Sequence, residues 1–430
     1  MLNNTIEYHG TVIDSGFNKT TSRLLNFFWA GFVIYSAGFA LSTTDSVSYI
    51  LCQILEILGI LIFFPSAVML IHFKIDNKWL KAIFILYCLW LLSVILRGFV
   101  FDYTIIKLLL FNAEHGIFLY FVPLILLFPG DIIYLKKIFR VIIILGIIFI
   151  IYDAAFLNNL MDLSYRNYNT KFTFEYFTKI LSVPCGFILL TYSYHSRRMN
   201  LLALFVIVIA VAFALIRARR ALIFISISPL VFAYILYIYG GRMKILIIFL
   251  SIIIGSFLFY LGLSIYSENK SGTFALITNR FTADTRSRVE EDFYRDMNTG
   301  DWIIGKGIFG EYYSPGLDEG NYISIYRSMI ETNYLNIILK GGIVSLGLLL
   351  LITIPAMIKG IFHSENILSK AAGIWIFLWL LSLYPATVNT FSLNHILVWI
   401  SVGICYSADI RNMPESSVRK LFTDSPADQS

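Results

Sequence analysis

The sequence has one long polar stretch, from about residue 267 to 327, in a chain otherwise made of apolar segments joined by short connections. The stretch combines arginines with aromatic residues: Arg280, Arg286, Arg288, Arg295, Phe281, Phe293, Tyr294, Trp302, Tyr312 and Tyr313. Guanidinium groups bind phosphate through paired hydrogen bonds, and aromatic rings offer flat apolar faces on which sugars pack. The combination suits anionic phosphate and sugar rings, and the alternative is a solvated cap without a site.

A second group of arginines, Arg217, Arg219 and Arg220, connects two apolar segments. Guanidinium groups suit a phosphate or pyrophosphate because they are planar, bind in a bidentate manner and stay charged. A lipid pyrophosphate would fit this position, since its headgroup lies at the depth where such segments leave the membrane. The alternative is a miscount of spans that makes this an ordinary basic loop.

Glu331, in Glu331-Thr332-Asn333-Tyr334, begins the apolar segment that follows the polar stretch. It is a candidate general base or ligand of an acceptor hydroxyl, because partial desolvation near a membrane would raise its pKa. The alternative is a helix-start residue favoured by the helix dipole. Gly341 and Gly342 in the same segment predict close helix packing. His395 is either a second acid or base, or a packed neutral histidine.

Residues 284–297 predict a short helix in the polar stretch, because Arg288, Asp292 and Arg295 recur at helical spacing. Glu291 lies four residues before Arg295, so the alternative reading is a salt-bridged surface helix. The stretch holds more acidic than basic residues, which argues against a simple anion trap.

The composition is that of an integral membrane protein. Mean hydropathy is +0.76, with 58% hydrophobic and 14% charged residues, against about 45–50% and about 25% in soluble proteins. Continuous apolar runs predict an all-α polytopic fold rather than a barrel. The four cysteines lie inside apolar runs, which disfavours disulfides and zinc. The formal charge of +6 reflects basic connections and is weak evidence for nucleic acid.

About twelve transmembrane helices are predicted, with the large loop between the ninth and tenth. They cover roughly 24–41, 49–71, 80–100, 107–128, 138–157, 176–193, 200–216, 221–239, 245–266, 331–358, 371–387 and 391–407. Lysines and arginines collect on one side, which the positive-inside rule makes cytoplasmic. Both termini are then inside and the 267–327 loop outside, whereas the 217–220 arginines break the rule. We expect a single membrane domain over 1–430.

The chain resembles bacterial O-antigen polymerases of the Wzy type, within the O-antigen ligase and polymerase superfamily. The resemblance covers roughly 200–358 and the overall span count. It consists of "ALIRARRALIF" at 214–224, "TRSRVEEDFYRDM" before "GDWIIGKGIFG", and "IETNYLNIILKGGIVSLGLLLLI" at 330–352, arranged around one large loop. Superfamily ligases usually have a histidine beside the Asn-x-x-Leu element, where this chain has Glu331-Thr332-Asn333. This departure favours a polymerase over a ligase.

The resemblance implies a metal-independent glycosyltransferase of the GT-C type, without a cofactor, in the bacterial plasma membrane. Donor and acceptor would be oligosaccharides on undecaprenyl pyrophosphate, and a chain-length regulator is a further expected partner. Arg219 best matches the family's span-start arginine, with Arg217 or Arg220 as alternatives, and Arg288 best matches its loop arginine. Both would stabilise the departing pyrophosphate, with Glu331 as the base. The expected substrate contacts are Arg217, Arg220, Arg286, Arg295, Asn333 and Tyr334.

Three alternatives remain open at this point: an O-antigen ligase, a polymerase for capsule or exopolysaccharide, and a lipid-linked oligosaccharide flippase or other transporter. Transporters tend to have repeat-related halves with polar groups in both. Here the polar residues are concentrated in one loop of the second half, which favours an enzyme.

Overall fold

A computed structural model of the chain describes residues 19–44, 46–161, 168–217, 219–240, 286–315 and 325–423. These residues are mostly helical, and eight of their helices are long and apolar enough to cross a membrane. The structure therefore agrees with an all-α polytopic membrane protein. The predicted span 245–266 and much of the 267–327 loop lie outside the described residues, and the count of twelve spans stays a prediction.

The helices of the first half are α1 (Lys19–Ser42), α2 (Tyr49–Leu70), α3 (Lys78–Leu96), α4 (Tyr103–Phe111), α5 (Phe118–Phe121) with the 3-10 turn Val122–Leu127, α6 (Ile132–Ala155), α7 (Leu157–Met161), α8 (Tyr168–Phe177) with the π-turn Thr178–Ser182, α9 (Cys185–Leu190) with the 3-10 turn Tyr192–Tyr194, α10 (Arg197–Ile216) and α11 (Arg220–Gly240). The second half has α12 (Ser287–Asp296), α13 (Thr299–Ile304), β1 (Tyr312–Tyr313), β2 (Tyr326–Arg327), α14 (Asn333–Phe362), α15 (Ile367–Ser382), α16 (Leu393–Tyr406), α17 (Ala408–Arg411) and α18 (Glu415–Thr423). The two short strands pair antiparallel.

The ends of the long helices meet at two opposite faces. One face, here called the loop face, carries the described parts of the polar loop. There the backbone N–H of Asn333 donates to the Leu383 carbonyl at 2.8 Å, next to the α15–α16 connection. At the opposite face, the Tyr194 hydroxyl donates to Glu415 at 2.9 Å. Helix ends at two opposite faces are what a bundle of membrane-crossing helices requires.

The first two helices pack closely through glycines. A Cβ built on Gly31 would lie 2.7 Å from the Gly59 carbonyl oxygen, so only glycine allows the two backbones this approach. Small residues serve this purpose in membrane helices, where lipid gives no hydrophobic drive for helices to associate. Phe391 joins this pair to the rest of the bundle, with ring centroids 5.5 Å from Phe32 and 5.3 Å from Tyr35.

Three of the predicted spans are interrupted helices. The predicted span 107–128 is broken between α4 and α5, and the predicted span 176–193 contains the π-turn Thr178–Ser182. Pro184, which has no N–H to donate, follows that turn and limits the regular hydrogen bonding there. The predicted span 331–358 corresponds to α14, which has non-helical backbone angles at Gly342. Irregular backbone at membrane depth is tolerated where it is buried in protein or lines a cavity.

The break in α14 is filled by a segment of the polar loop. Gly342 adopts φ +69°, which frees the carbonyls before it from the helical pattern. The N–H of Lys306 donates to the Leu339 carbonyl at 2.7 Å and that of Gly307 to the Lys340 carbonyl at 2.9 Å. A side chain on Gly342 would overlap the Ile303 carbonyl of α13. The close helix packing predicted for the two glycines is present, and Gly342 also breaks the helix.

Candidate functional site

The three arginines between α10 and α11 have different surroundings. Arg217 ends α10 and is buried, with 6% of its surface exposed. Arg220 begins α11 and is exposed. Arg219 lies between them, and its Nη1 is 3.6 Å from Oε2 of Glu175. The sequence left open which of the three takes part in a site, and this ion pair favours Arg219.

Glu175 is the centre of a charged cluster inside the loop face. The Lys179 Nζ lies 2.7 Å from Glu175 and 3.9 Å from Glu114. The hydroxyl of Tyr176 donates to Glu114 at 2.9 Å. Glu114 and Lys179 are buried, whereas 23% of the Glu175 side chain and 26% of the Arg219 side chain are exposed. The cluster is therefore open to solvent at Glu175 and Arg219 and closed at its inner end.

Glu175 and Lys179 are not among the site residues predicted from the sequence. The available signal was their spacing, because an acid and a base four residues apart within an apolar run face the same side of a helix. Charged residues inside a predicted span are costly and usually mark a functional site. Glu114 likewise lies inside the predicted span 107–128, and the structure supplies its partners Lys179 and Tyr176.

Arg286 brings the polar loop to this cluster. Its Nε is 3.3 Å from Oε2 of Glu331, and its Nη1 and Nη2 donate to the carbonyls of Tyr384 and Pro385 at 3.3 and 2.8 Å. The guanidinium also lies close enough to interact electrostatically with Glu175. Arg219 therefore pairs directly with Glu175, whereas Arg286, from a stretch distant in sequence, pairs with Glu331 nearby.

Arg288 and Arg295 lie on the exposed side of α12, a helix that buries Val289 and Phe293. Arg295 pairs with Glu291 at 3.8 Å, and both side chains are mostly exposed, which matches the salt-bridged surface helix considered from the sequence. Within the described part of the chain, no hydrogen bond or ion pair joins Arg288 to the cluster. The geometry favours Arg286 over Arg288 as the loop arginine of the site.

The residues at the start of α14 have distinct environments. Glu331 is 72% exposed, so the desolvation assumed in predicting it as a base is absent. Asn333 is fully buried, and its side-chain oxygen is placed to accept from the N–H groups of Val388 and Asn389 at 3.0 and 2.6 Å. The predicted substrate contact at Asn333 is therefore a structural contact to the α15–α16 connection. The hydroxyl of Thr332 donates to Glu290 of α12.

Aromatic rings surround the entrance of the cluster on the loop side. Tyr334 stacks on Tyr384 with centroids 6.4 Å apart, and Tyr294 stacks on Trp302 at 6.0 Å. Burial raises the pKa of Tyr294, so its phenol stays neutral near pH 7. Tyr384 is 59% and Tyr294 47% exposed, so their rings are accessible to a ligand.

Behind the cluster lies a polar pocket beside the break in α14. It is lined by residues that include Glu114, His115, Asn336, Lys340, Asn389 and His395. The buried Lys340 Nζ donates to the Gly310 carbonyl at 2.8 Å, and the buried Oδ1 of Asn336 has no hydrogen-bond partner among the described residues. Glu114 lines this pocket and also takes part in the charged cluster.

Of the two alternatives for His395, a second acid or base and a packed neutral histidine, the structure supports the packed histidine. Its Nδ1 lies 3.2 Å from the Thr390 carbonyl, and its Nε2 accepts from the Trp399 indole at 3.2 Å. These partners assign the proton to Nδ1 of a neutral ring. Its ring also stacks on Trp379 with centroids 5.1 Å apart. Among the described residues, no three His, Cys, Asp or Glu side chains are placed to hold a metal ion.

Comparison of the chain with protein-family models, with curated proteins and with solved structures found no match.

Proposed function

We propose that this protein is an O-antigen or surface polysaccharide polymerase that joins undecaprenyl-pyrophosphate-linked repeat units at the external face of the plasma membrane. The observation that carries the proposal is the ion pair of Arg219 with Glu175 at 3.6 Å, with the Arg286 guanidinium of the polar loop within electrostatic range of the same carboxylate. Two guanidinium groups at the edge of the bundle suit a diphosphate at the depth of a lipid headgroup. The proposal also follows the resemblance of 214–224, 285–310 and 330–352 to Wzy-type polymerases described from the sequence.

In the proposed reaction, a hydroxyl of the lipid-linked acceptor attacks the anomeric carbon of the donor chain. The bond between that carbon and the pyrophosphate oxygen breaks, and undecaprenyl pyrophosphate leaves with the electron pair. Arg219 and Arg286 stabilise the negative charge that develops on the leaving group, which is the work expected of preorganised donors. Glu331, 3.3 Å from Arg286 and exposed in the free protein, takes the acceptor proton once the bound saccharide covers its carboxylate.

The aromatic entrance supports a saccharide as the substrate. The stacked pairs Tyr334–Tyr384 and Tyr294–Trp302 present exposed rings next to the arginines. Aromatic faces and nearby carboxylates such as Glu290 and Glu331 provide the apolar and hydrogen-bonding contacts that a sugar needs. A protein that bound only free diphosphate would have no use for this surface.

Deletion of the gene in its host, followed by gel analysis of surface polysaccharide, tests the proposal. We expect loss of the ladder of long chains with retention of single repeat units on the surface. Loss of all attached glycan would instead indicate an O-antigen ligase, and loss of capsule or secreted polysaccharide alone a polymerase of that product. An unchanged profile of all three polymers would contradict the proposal.

A second candidate is a flippase or other transporter of lipid-linked oligosaccharides. It is favoured by the buried charges Glu114, Lys179 and Lys340 within the bundle, since intramembrane ionisable groups also mark transport pathways. Accumulation of cytoplasm-facing lipid-linked units in the deletion strain would support the transporter. Accumulation of the same units on the external side would support the polymerase.

A further inference from the structure

Glu175 occupies the position that an anionic ligand would take in the charged cluster. Lys179 lies 2.7 Å from its carboxylate, Arg219 lies 3.6 Å away, and Arg286 interacts with it electrostatically. These three cations come from three separate parts of the chain, the π-turn after α8, the α10–α11 connection and the start of α12. Lys179 and Arg219 both pair with this carboxylate, and Arg286, which pairs with Glu331, lies within electrostatic range of it.

The charge balance of the cluster explains why a carboxylate is needed there. Three clustered cations at the edge of a membrane would repel one another, and burial of Lys179 removes most of the screening by water. The carboxylates of Glu114, Glu175 and Glu331 are the acidic partners of these three cations. A diphosphate entering this balanced site would meet repulsion unless one carboxylate moved away from the cations.

Glu175 is the carboxylate best placed to move. Glu114 is buried and accepts a hydrogen bond from Tyr176, whereas Glu331 lies outside the contacts of Lys179 and Arg219. Glu175 is partly exposed, and it forms ion pairs with Lys179 and Arg219, the same cations that would bind the ligand. Its displacement would free donors on Lys179 and Arg219 together.

We infer that Glu175 is an internal placeholder anion, which a diphosphate displaces to bind Lys179, Arg219 and Arg286. This inference rests on the proposed function for the identity of the lipid-linked diphosphate, and it adds Lys179 as a third ligand. Lys179 lies in the π-turn. Such turns insert an extra residue into a helix and are frequent at functional sites, which supports Lys179 as a ligand.

Binding of inorganic pyrophosphate to the purified full-length protein in nanodiscs, measured by calorimetry, tests the inference. Glu175→Gln keeps the size of the side chain but removes the competing charge, so the Kd should fall by about tenfold. Lys179→Met should raise the Kd by at least about tenfold for the opposite reason. Glu291→Gln removes an equal charge from the exposed side of α12 and should leave the Kd unchanged.

A Glu175→Gln variant that binds pyrophosphate as the wild type does, or more weakly, would overturn the inference. If that variant does not fold, Glu175→Asp decides, because the shorter carboxylate retracts from Arg219 and should still tighten binding. Binding of pyrophosphate by Lys179→Met with the wild-type Kd would show that Lys179 is not a ligand. Farnesyl diphosphate should bind more tightly than inorganic pyrophosphate, and equal affinities would overturn the lipid-linked form of the ligand.

The outcomes separate this inference from the proposed function. Tighter pyrophosphate binding by Glu175→Gln, together with an unchanged polysaccharide profile in the deletion strain, would keep the diphosphate site and reject the polymerase. Loss of the polysaccharide ladder together with no effect of Glu175→Gln would keep the polymerase and reject the placeholder.

Discussion

Arg286 and Arg288 are two residues apart in the sequence but have different surroundings. Arg286 precedes the first residue of α12, and its guanidinium contacts Glu331 and two carbonyls of the α15–α16 connection. Arg288 lies within the helix, whose buried side is set by Val289 and Phe293. The amphipathic pattern of α12 thus turns Arg288 towards solvent. The position at which α12 begins therefore places Arg286, and not Arg288, against Glu331.

The two arginines can be distinguished by their variants. Arg286→Ala should lower the rate of chain extension on lipid-linked repeat units, measured in host membranes, by about 10²–10³-fold, as for loss of one donor to a developing anion. Arg288→Ala removes an equal charge from the same helix and should leave the rate close to that of the wild type. An equal loss of rate in both variants would contradict this distinction and support Arg288 as a residue of the site.

At the scale of elements, the interrupted helices supply the polar groups of the site. The break after α4 positions Glu114, the π-turn after α8 holds Lys179, and the break in α14 lies beside Lys340. A regular helix satisfies its own backbone, so an interruption needs partners from elsewhere. The segment 305–308 provides them at α14, which ties part of the polar loop into the bundle.

Gly342 is the residue on which that connection depends. Gly342→Ala forces a side chain into a backbone conformation with φ +69° and against the Ile303 carbonyl. Conformational strain alone costs about 1–3 kcal/mol, so the thermal unfolding midpoint of the purified protein should fall. Gly347→Ala in the same helix has open space around its Cβ and should leave the midpoint unchanged or raised. A midpoint unaffected by Gly342→Ala would show that the segment 305–308 does not depend on the break.

At the scale of the whole molecule, the bundle separates two faces with different charge. The opposite face carries many basic residues, including Lys74, Lys78, Lys136 and Arg411, and the loop face carries the site. The positive-inside rule predicts that the loop face is external. The arginines at 217–220 run against this rule, and the ion pair of Arg219 with Glu175 offsets its charge.

The orientation can be measured by cysteine labelling in intact cells with a membrane-impermeant maleimide. Glu291→Cys, on the exposed side of α12, should react in intact cells. Lys74→Cys, exposed at the opposite face, should react only after the membrane is opened. Background should be low because Cys52, Cys185 and Cys405 are buried and Cys88 is half-buried. The reverse pattern would place the site on the cytoplasmic side and contradict the proposed function.

The sequence alone predicts the class of the protein, since long apolar runs have no stable alternative to membrane-crossing helices. It also identified the polar loop, the 217–220 arginines and the short helix now observed at Ser287–Asp296. These are local properties of composition and spacing. The three-dimensional fold was needed to show that Arg286 rather than Arg288 contacts Glu331 and the α15–α16 connection, and that Lys179 and Glu114 complete the cluster. Such pairings depend on helix interruptions and on contacts between distant segments, which no local pattern encodes.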